Sequence, residues 1–136
     1  MKIPVVKRFN KKEFEIVFID LEDVLLMRSY RGEVYYQTRE GLYSQISTFE
    51  EHERFLVEQG FKKVDRCYVV QMDQVEFFDD VQQRLYFVKQ PVNSDSPSAP
   101  VSGAHLKSVE KLINNGDSKE ASASLRNDLS GGLSTT

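Results

Sequence analysis

The sequence predicts a mainly β fold with two short helices. Three observations carry that expectation. Among 136 residues, 40% hydrophobic, there are nine Phe and six Tyr but no Trp, a composition rich in β-forming aromatics. Apolar runs are short and follow one another after only a few turn residues, as in a meander. A helix-start signal interrupts this pattern once in the middle of the chain, at Ser47-Thr48. The length suits one domain with a real core, placed over residues 1–115, with a tail from 116 to 136.

Ile3 to Phe9 is mostly apolar and β-branched, with Pro4 near the start where a first or edge strand tolerates it. Asn10-Lys11-Lys12 reads as a turn, and Phe14, Ile16 and Phe18 then alternate with Glu15, Val17 and Ile19 as a second strand. Asp20 to Asp23 breaks it. Val24 to Met27 is expected as a buried strand, Ser29 to Gly32 as a turn, and Val34 to Thr38 as the returning partner. After the turn Arg39-Glu40-Gly41, Leu42 to Ile46 completes the meander. Ser47 and Thr48 stand three residues ahead of Glu50 and Glu51, the spacing of a capping box. The following helix is expected to gather Phe49, His52, Phe55 and Leu56 near one face and to end at Gly60 in a left-handed cap. Farther on, Val75 to Phe78 and Leu85 to Val88 read as a hairpin. Gln90 to Pro100 holds three of the four prolines and several serines, so a loop is expected there. The tail from Gly116 is rich in Ser, Gly and Asn and is expected to be disordered.

Several functions are excluded by what the sequence lacks. No apolar run approaches the roughly 20 residues of a membrane span, and Met1-Lys2-Ile3-Pro4 lacks a signal-peptide core, so a cytoplasmic location is expected. One cysteine excludes an internal disulfide, and His52 and His105 alone make no metal cluster, so neither metal nor cofactor is expected. No nucleophile paired with a base and no glycine-rich phosphate loop is visible, which argues against an enzyme. The formal charge of −3 argues against a generally basic nucleic-acid binder. Any basic surface must come from uneven placement of charge.

The chain is organised around Phe61 to Val75, FKKVDRCYVVQMDQV. Lys62, Lys63 and Arg66 precede an apolar β-prone run, Tyr68-Val69-Val70, expected to be buried, so that a core strand holds cationic side chains at its mouth. Cys67 is expected as a small buried residue, and His52 as cover for a helix face. For Arg66 the two readings are contact with an anionic partner and an ordinary ion pair with Asp65 or a neighbouring Glu. For Lys62 and Lys63 they are phosphate contacts and a solvated strand end.

This stretch resembles the central motif of the LytTR DNA-binding domain, Phe-x-Arg-Val-His-Arg-Ser-Tyr-Leu-Val-Asn followed shortly by Ile. Phe61, Lys63, Val64, Arg66, Tyr68, Val69, Val70 and Val75 match it in type, while Asp65, Cys67 and Gln71 replace the usual His, Ser and Asn. Asp23-Val24, Thr38 and Gly41 fall in register with earlier family positions. Ala99 to Val109 resembles the closing motif Pro-Val-Ser-Arg-Arg-x-Leu-Lys, which implies a second helix through about Asn115 capped by Ser102. The resemblance covers roughly residues 14 to 113.

What the resemblance implies is an elongated, multi-stranded β fold whose loops insert side chains into successive major grooves of double-stranded DNA. The protein would then be a bacterial transcriptional regulator. Family contacts fall on the first hairpin loop, here Tyr30 and Arg31, on the position occupied by Arg66, and on the basic residue of the closing motif. There Gly103-Ala104 stands where the family supplies arginine, and His105 is the substitute candidate; the other reading of His105 is a first-turn helix residue without a partner. Two or three loops read few bases, so a homodimer on repeated half-sites is expected. No receiver domain is recognisable, which points to control by abundance or by a regulatory protein partner. The competing reading is a LytTR-like domain that has lost DNA binding and serves as a protein-interaction module.

Overall fold

The structure, a computed structural model, describes residues 1–90 and 96–115. The expected tail and the middle of the expected loop at 90–100 lie outside these residues. The described residues form ten strands in three antiparallel sheets, two α-helices and two short 3-10 turns. The fold is mainly β, as the aromatic composition and the meander spacing predict. The chain divides into two compact units, one comprising Met1–Gln59 and the other running from Gly60 onward.

In the first unit the strands are β1 (Lys2–Arg8), β2 (Phe14–Asp20), β3 (Leu26–Tyr30), β4 (Glu33–Thr38) and β5 (Gly41–Ser44), ordered β2-β1-β5-β4-β3, followed by helix α1 (Phe49–Glu58). Short polar side chains set the turns. Asn10 Oδ1 accepts the backbone N–H groups of Lys12 and Glu13, both at 2.9 Å, between β1 and β2. The Thr38 hydroxyl accepts those of Glu40 and Gly41 at 3.1 and 3.2 Å between β4 and β5. Between β3 and β4 the two-residue loop Arg31-Gly32 has φ of +52° and +82°. Positive φ at both positions is the mirror-image turn whose twist matches that of the flanking strands, and Gly32 adopts it without a Cβ penalty.

The core of this unit is Val6, Phe14 and Ile16, with Ile46 and Phe55 packed against it. Two expectations need correction. The segment from Val24 is not a buried strand: β3 begins at Leu26 and every residue on it is exposed, because β3 is the sheet's edge and has only β4 beside it. On α1, Phe49 and His52 are exposed, and the buried residue is Glu51.

Glu51 closes the expected capping box. Its backbone N–H donates to the Thr48 hydroxyl at 3.1 Å, and its carboxylate accepts the Thr48 and Ser47 backbone N–H groups at 3.2 and 2.9 Å. The same carboxylate takes an ion pair from Arg8 on β1. Burial alone would raise its pKa, but the Ser47 and Thr48 N–H groups, the Arg8 guanidinium and the Ser47 hydroxyl together hold it below the ordinary glutamate value. Arg54, one turn along, lies 4.3 Å from the centre of the Phe14 ring and donates to the Phe14 carbonyl at 3.0 Å. The helix is thus fastened to the sheet by charge as much as by apolar packing.

In the second unit, β6 (Lys62–Asp65) pairs with β7 (Tyr68–Val70), and β8 (Phe77–Asp79), β9 (Arg84–Tyr86) and β10 (Ser98–Pro100) form a sheet in the order β10-β9-β8. Helix α2 (Gly103–Asn115) follows. Val64, Leu85 and Val109 are fully buried, with Val70, Val75, Ala99 and Val101 around them. The expected single strand through the central motif is instead a hairpin, and Tyr68, expected to be buried, is exposed. Ser98 to Pro100, expected as loop, pair with Tyr86 to Arg84. Their prolines do not prevent this, because β10 is an edge strand and Pro100 is its last residue.

Candidate nucleic-acid interface

Exposed arginines stand at two hairpin tips of the first unit, Arg31 between β3 and β4 and Arg39 between β4 and β5, and at one of the second, Arg66 between β6 and β7. The β3–β4 tip is Tyr30-Arg31-Gly32, with Tyr30 and Arg31 both exposed. The Arg31 guanidinium lies 5.2 Å from the centre of the Tyr30 ring, a cation–π pair that leaves the donor edge of the guanidinium open to hydrogen bonding.

In the second unit the tip is Arg66-Cys67. Asp65 builds it: Asp65 Oδ2 accepts the Cys67 N–H at 3.2 Å, the side-chain mimic of a backbone turn. The register also shifts between Lys63 and Asp65, where a bulge re-aims the end of β6 and Val64 is driven into the core. Arg66 is exposed, and among the described residues no ion pair involves it. Cys67, expected to be buried, is exposed, because it occupies the turn and not a strand. In the sequence Asp65 reads only as an ion-pair partner for Arg66. Its role as the residue that positions Arg66 could have been found in the preference of Asp for turns.

Lys62 and Lys63 lie on β6 and are half-buried. The closing motif is tied to the same strand, since the Ser102 N–H donates to the Val64 carbonyl at 3.0 Å. Ser102 stands just ahead of α2; its carbonyl accepts the His105 N–H at 2.9 Å, and its hydroxyl lies 2.8 Å from His105 Nδ1. His105 therefore has a partner and sits half-buried in the first helical turn, while Gly103 and Ala104 are exposed and supply no cation. The second unit thus brings Lys62, Lys63, Arg66 and His105 onto adjoining elements. Tyr30 and Arg31 belong to the first unit.

Among the described residues no group of three or more His, Cys, Asp or Glu side chains could hold a metal ion, and no helix is long and apolar enough to cross a membrane. The family model described as the LytTr DNA-binding domain matches residues 15–114, and the chain belongs to that family. The match spans both units and includes Arg31, Arg39, Arg66 and the closing motif. Comparison with curated proteins finds no match.

Proposed function

We propose that this chain is a sequence-specific regulator of transcription that reads double-stranded DNA through its hairpin tips. The carrying observation is that each unit of a LytTr-type domain sets an exposed arginine at the end of a rigid hairpin. A guanidinium can take guanine O6 and N7 with two parallel hydrogen bonds, which suits Arg66 and Arg31 to base contact. Lys62 and Lys63 serve as phosphate contacts that hold register. Tyr30 supports Arg31, and His105 is the weakest contact, since Ser102 already occupies one of its ring nitrogens.

Lys63→Ala is expected to weaken binding to all duplexes alike and to lower the dependence of log affinity on log salt by about one unit. With a formal charge of −3 the protein can neutralise few phosphates, so the wild-type salt slope itself should be shallow for a DNA binder. Fluorescence anisotropy at several salt concentrations reads both quantities. A slope left unchanged by Lys63→Ala would remove that residue from the phosphate contacts.

Selectivity from so few contacts calls for two subunits on repeated half-sites. Footprinting is expected to show paired protected segments separated by about one helical turn. One short segment occupied by a single monomer would contradict it. The missing cation at Gly103-Ala104 favours a second reading, an interaction module without DNA affinity, and failure of the wild type to bind any duplex at low salt would establish it.

A further inference from the structure

The β3–β4 tip carries an acceptor as well as a donor. Tyr30 and Glu33 close its two-residue loop as a directly opposed pair, so their side chains stand on one face of the hairpin. Tyr35, two positions beyond Glu33 on β4, stands on that face too. Glu33 is exposed, and its Oε1 accepts the Tyr35 hydroxyl at 3.1 Å. This bond holds the Tyr35 pKa above its ordinary value, so the phenol stays a donor. One oxygen of the carboxylate is thereby positioned while the other keeps its lone pairs open.

The Arg31 guanidinium is drawn to the same face, since it lies 5.2 Å from the centre of the Tyr30 ring. Opposite charges two positions apart could neutralise each other, yet among the described residues no ion pair joins Arg31 to Glu33. Each is held by its own aromatic neighbour, Arg31 by the Tyr30 ring and Glu33 by the Tyr35 hydroxyl. A donor fork and an acceptor are thus presented side by side at one hairpin end.

The geometry points to a G·C base pair as what this tip reads, with Arg31 on guanine O6 and N7 and Glu33 accepting the exocyclic N4–H of the cytosine. In the major groove a G·C pair offers adjacent acceptors and then a donor, the complement of a guanidinium beside a carboxylate. An A·T pair breaks that order, because the adenine N6–H donor lies between two acceptors and denies the guanidinium its bidentate site. Glu33 also acts against wrong sequences. Its charge is repelled by the phosphates of any duplex, and only a base-edge donor offsets that cost, so it discriminates without anchoring. Arg28, opposite Tyr35 and 5.9 Å from its ring centre, adds a second cation to this face, so the single carboxylate does not keep the hairpin from the groove. This inference rests on the DNA reading above and names the base pair that the first unit selects.

The test is selection of a duplex from a random pool by the full chain, followed by titration of single-base variants of the selected site. Circular dichroism confirms that each protein variant folds. The wild type is expected to prefer G·C at one position where Arg31→Ala and Glu33→Ala both lose the preference. Glu33→Ala should lose about 10-fold of discrimination there while binding a scrambled duplex at least as tightly as the wild type. Tyr35→Phe, which keeps the ring and the carboxylate but removes the hydroxyl, should lose part of the same preference. N4-methylcytosine still pairs with guanine but replaces the groove-facing N4–H by a methyl group. Placed at that position, it should weaken the wild type about 10-fold and leave Glu33→Ala unaffected. A Glu33→Ala variant that keeps the wild-type preference at every position, or an N4-methyl penalty equal in both proteins, would overturn the proposal and leave the DNA reading standing. A wild type that binds no duplex at low salt would overturn both.

Discussion

Replacing Glu51 with alanine is expected to cost the first unit about 3 kcal/mol of stability, near the lower end of what breaking a buried ion pair costs. Its side chain is only 4% exposed, so the carboxylate was desolvated to make the pair. The substitution leaves the Ser47 and Thr48 N–H groups without their acceptor, strips the capping box and strands Arg8. Arg8 is 41% exposed and can turn to water, which keeps the cost from the upper end of the range. The effect depends on pH with a definite sign. Because the folded-state pKa of Glu51 is lowered, its contribution is fully present above the ordinary glutamate range of the unfolded chain and is lost as pH falls through the folded value. Urea unfolding from pH 7 downward should therefore show a decline for the wild type below about pH 5, and a flatter profile for Glu51→Gln. Identical profiles would mean that the carboxylate charge contributes nothing.

Replacing Arg66 with alanine is expected to cost about 1 to 3 kcal/mol on the correct DNA site while leaving affinity for unrelated duplexes near its original value. The asymmetry follows from the geometry. A side chain on a turn held by the Asp65 carboxylate can be aimed at a base edge, and losing it removes a bidentate contact that only the right base completes. Asp65→Ala should then reproduce part of the loss without touching a DNA contact, because the turn loses its side-chain hydrogen bond. Arg66→Ala leaves the fold intact, since Arg66 is exposed and lies outside the Val64 and Leu85 core.

Local signals in the sequence were legible where a short stretch decides its own structure. The hairpin alternation of β1 and β2, the Thr48 and Glu51 capping box and the left-handed Gly60 all come from residues that satisfy one another within a few positions. The motif order around Phe61 to Val75 led to the family that the match over residues 15–114 shows. What was misread depends on partners far along the chain. Leu25 to Met27 look alike in a buried strand and in an edge strand, and only the sheet order tells that nothing lies beyond β3. Glu51 was recognised as a cap, but its burial follows from Arg8, 43 positions earlier, which no local pattern reveals. The apolar run of the central motif, which begins at Tyr68, reads as one strand; the turn at Arg66-Cys67 is set by the Asp65 carboxylate, which accepts the Cys67 N–H.

The central claim, that hairpin-borne Arg66 reads sequence, is tested most directly by titrating wild type and Arg66→Ala against two duplexes at several salt concentrations. One duplex is selected by the wild type from a random pool, and the other is its scrambled counterpart. The account predicts that the wild type prefers the selected duplex and that Arg66→Ala loses this preference with little change on the scrambled one. Equal loss on both duplexes would reduce Arg66 to a phosphate contact, and a wild type that binds neither at low salt would contradict the account outright.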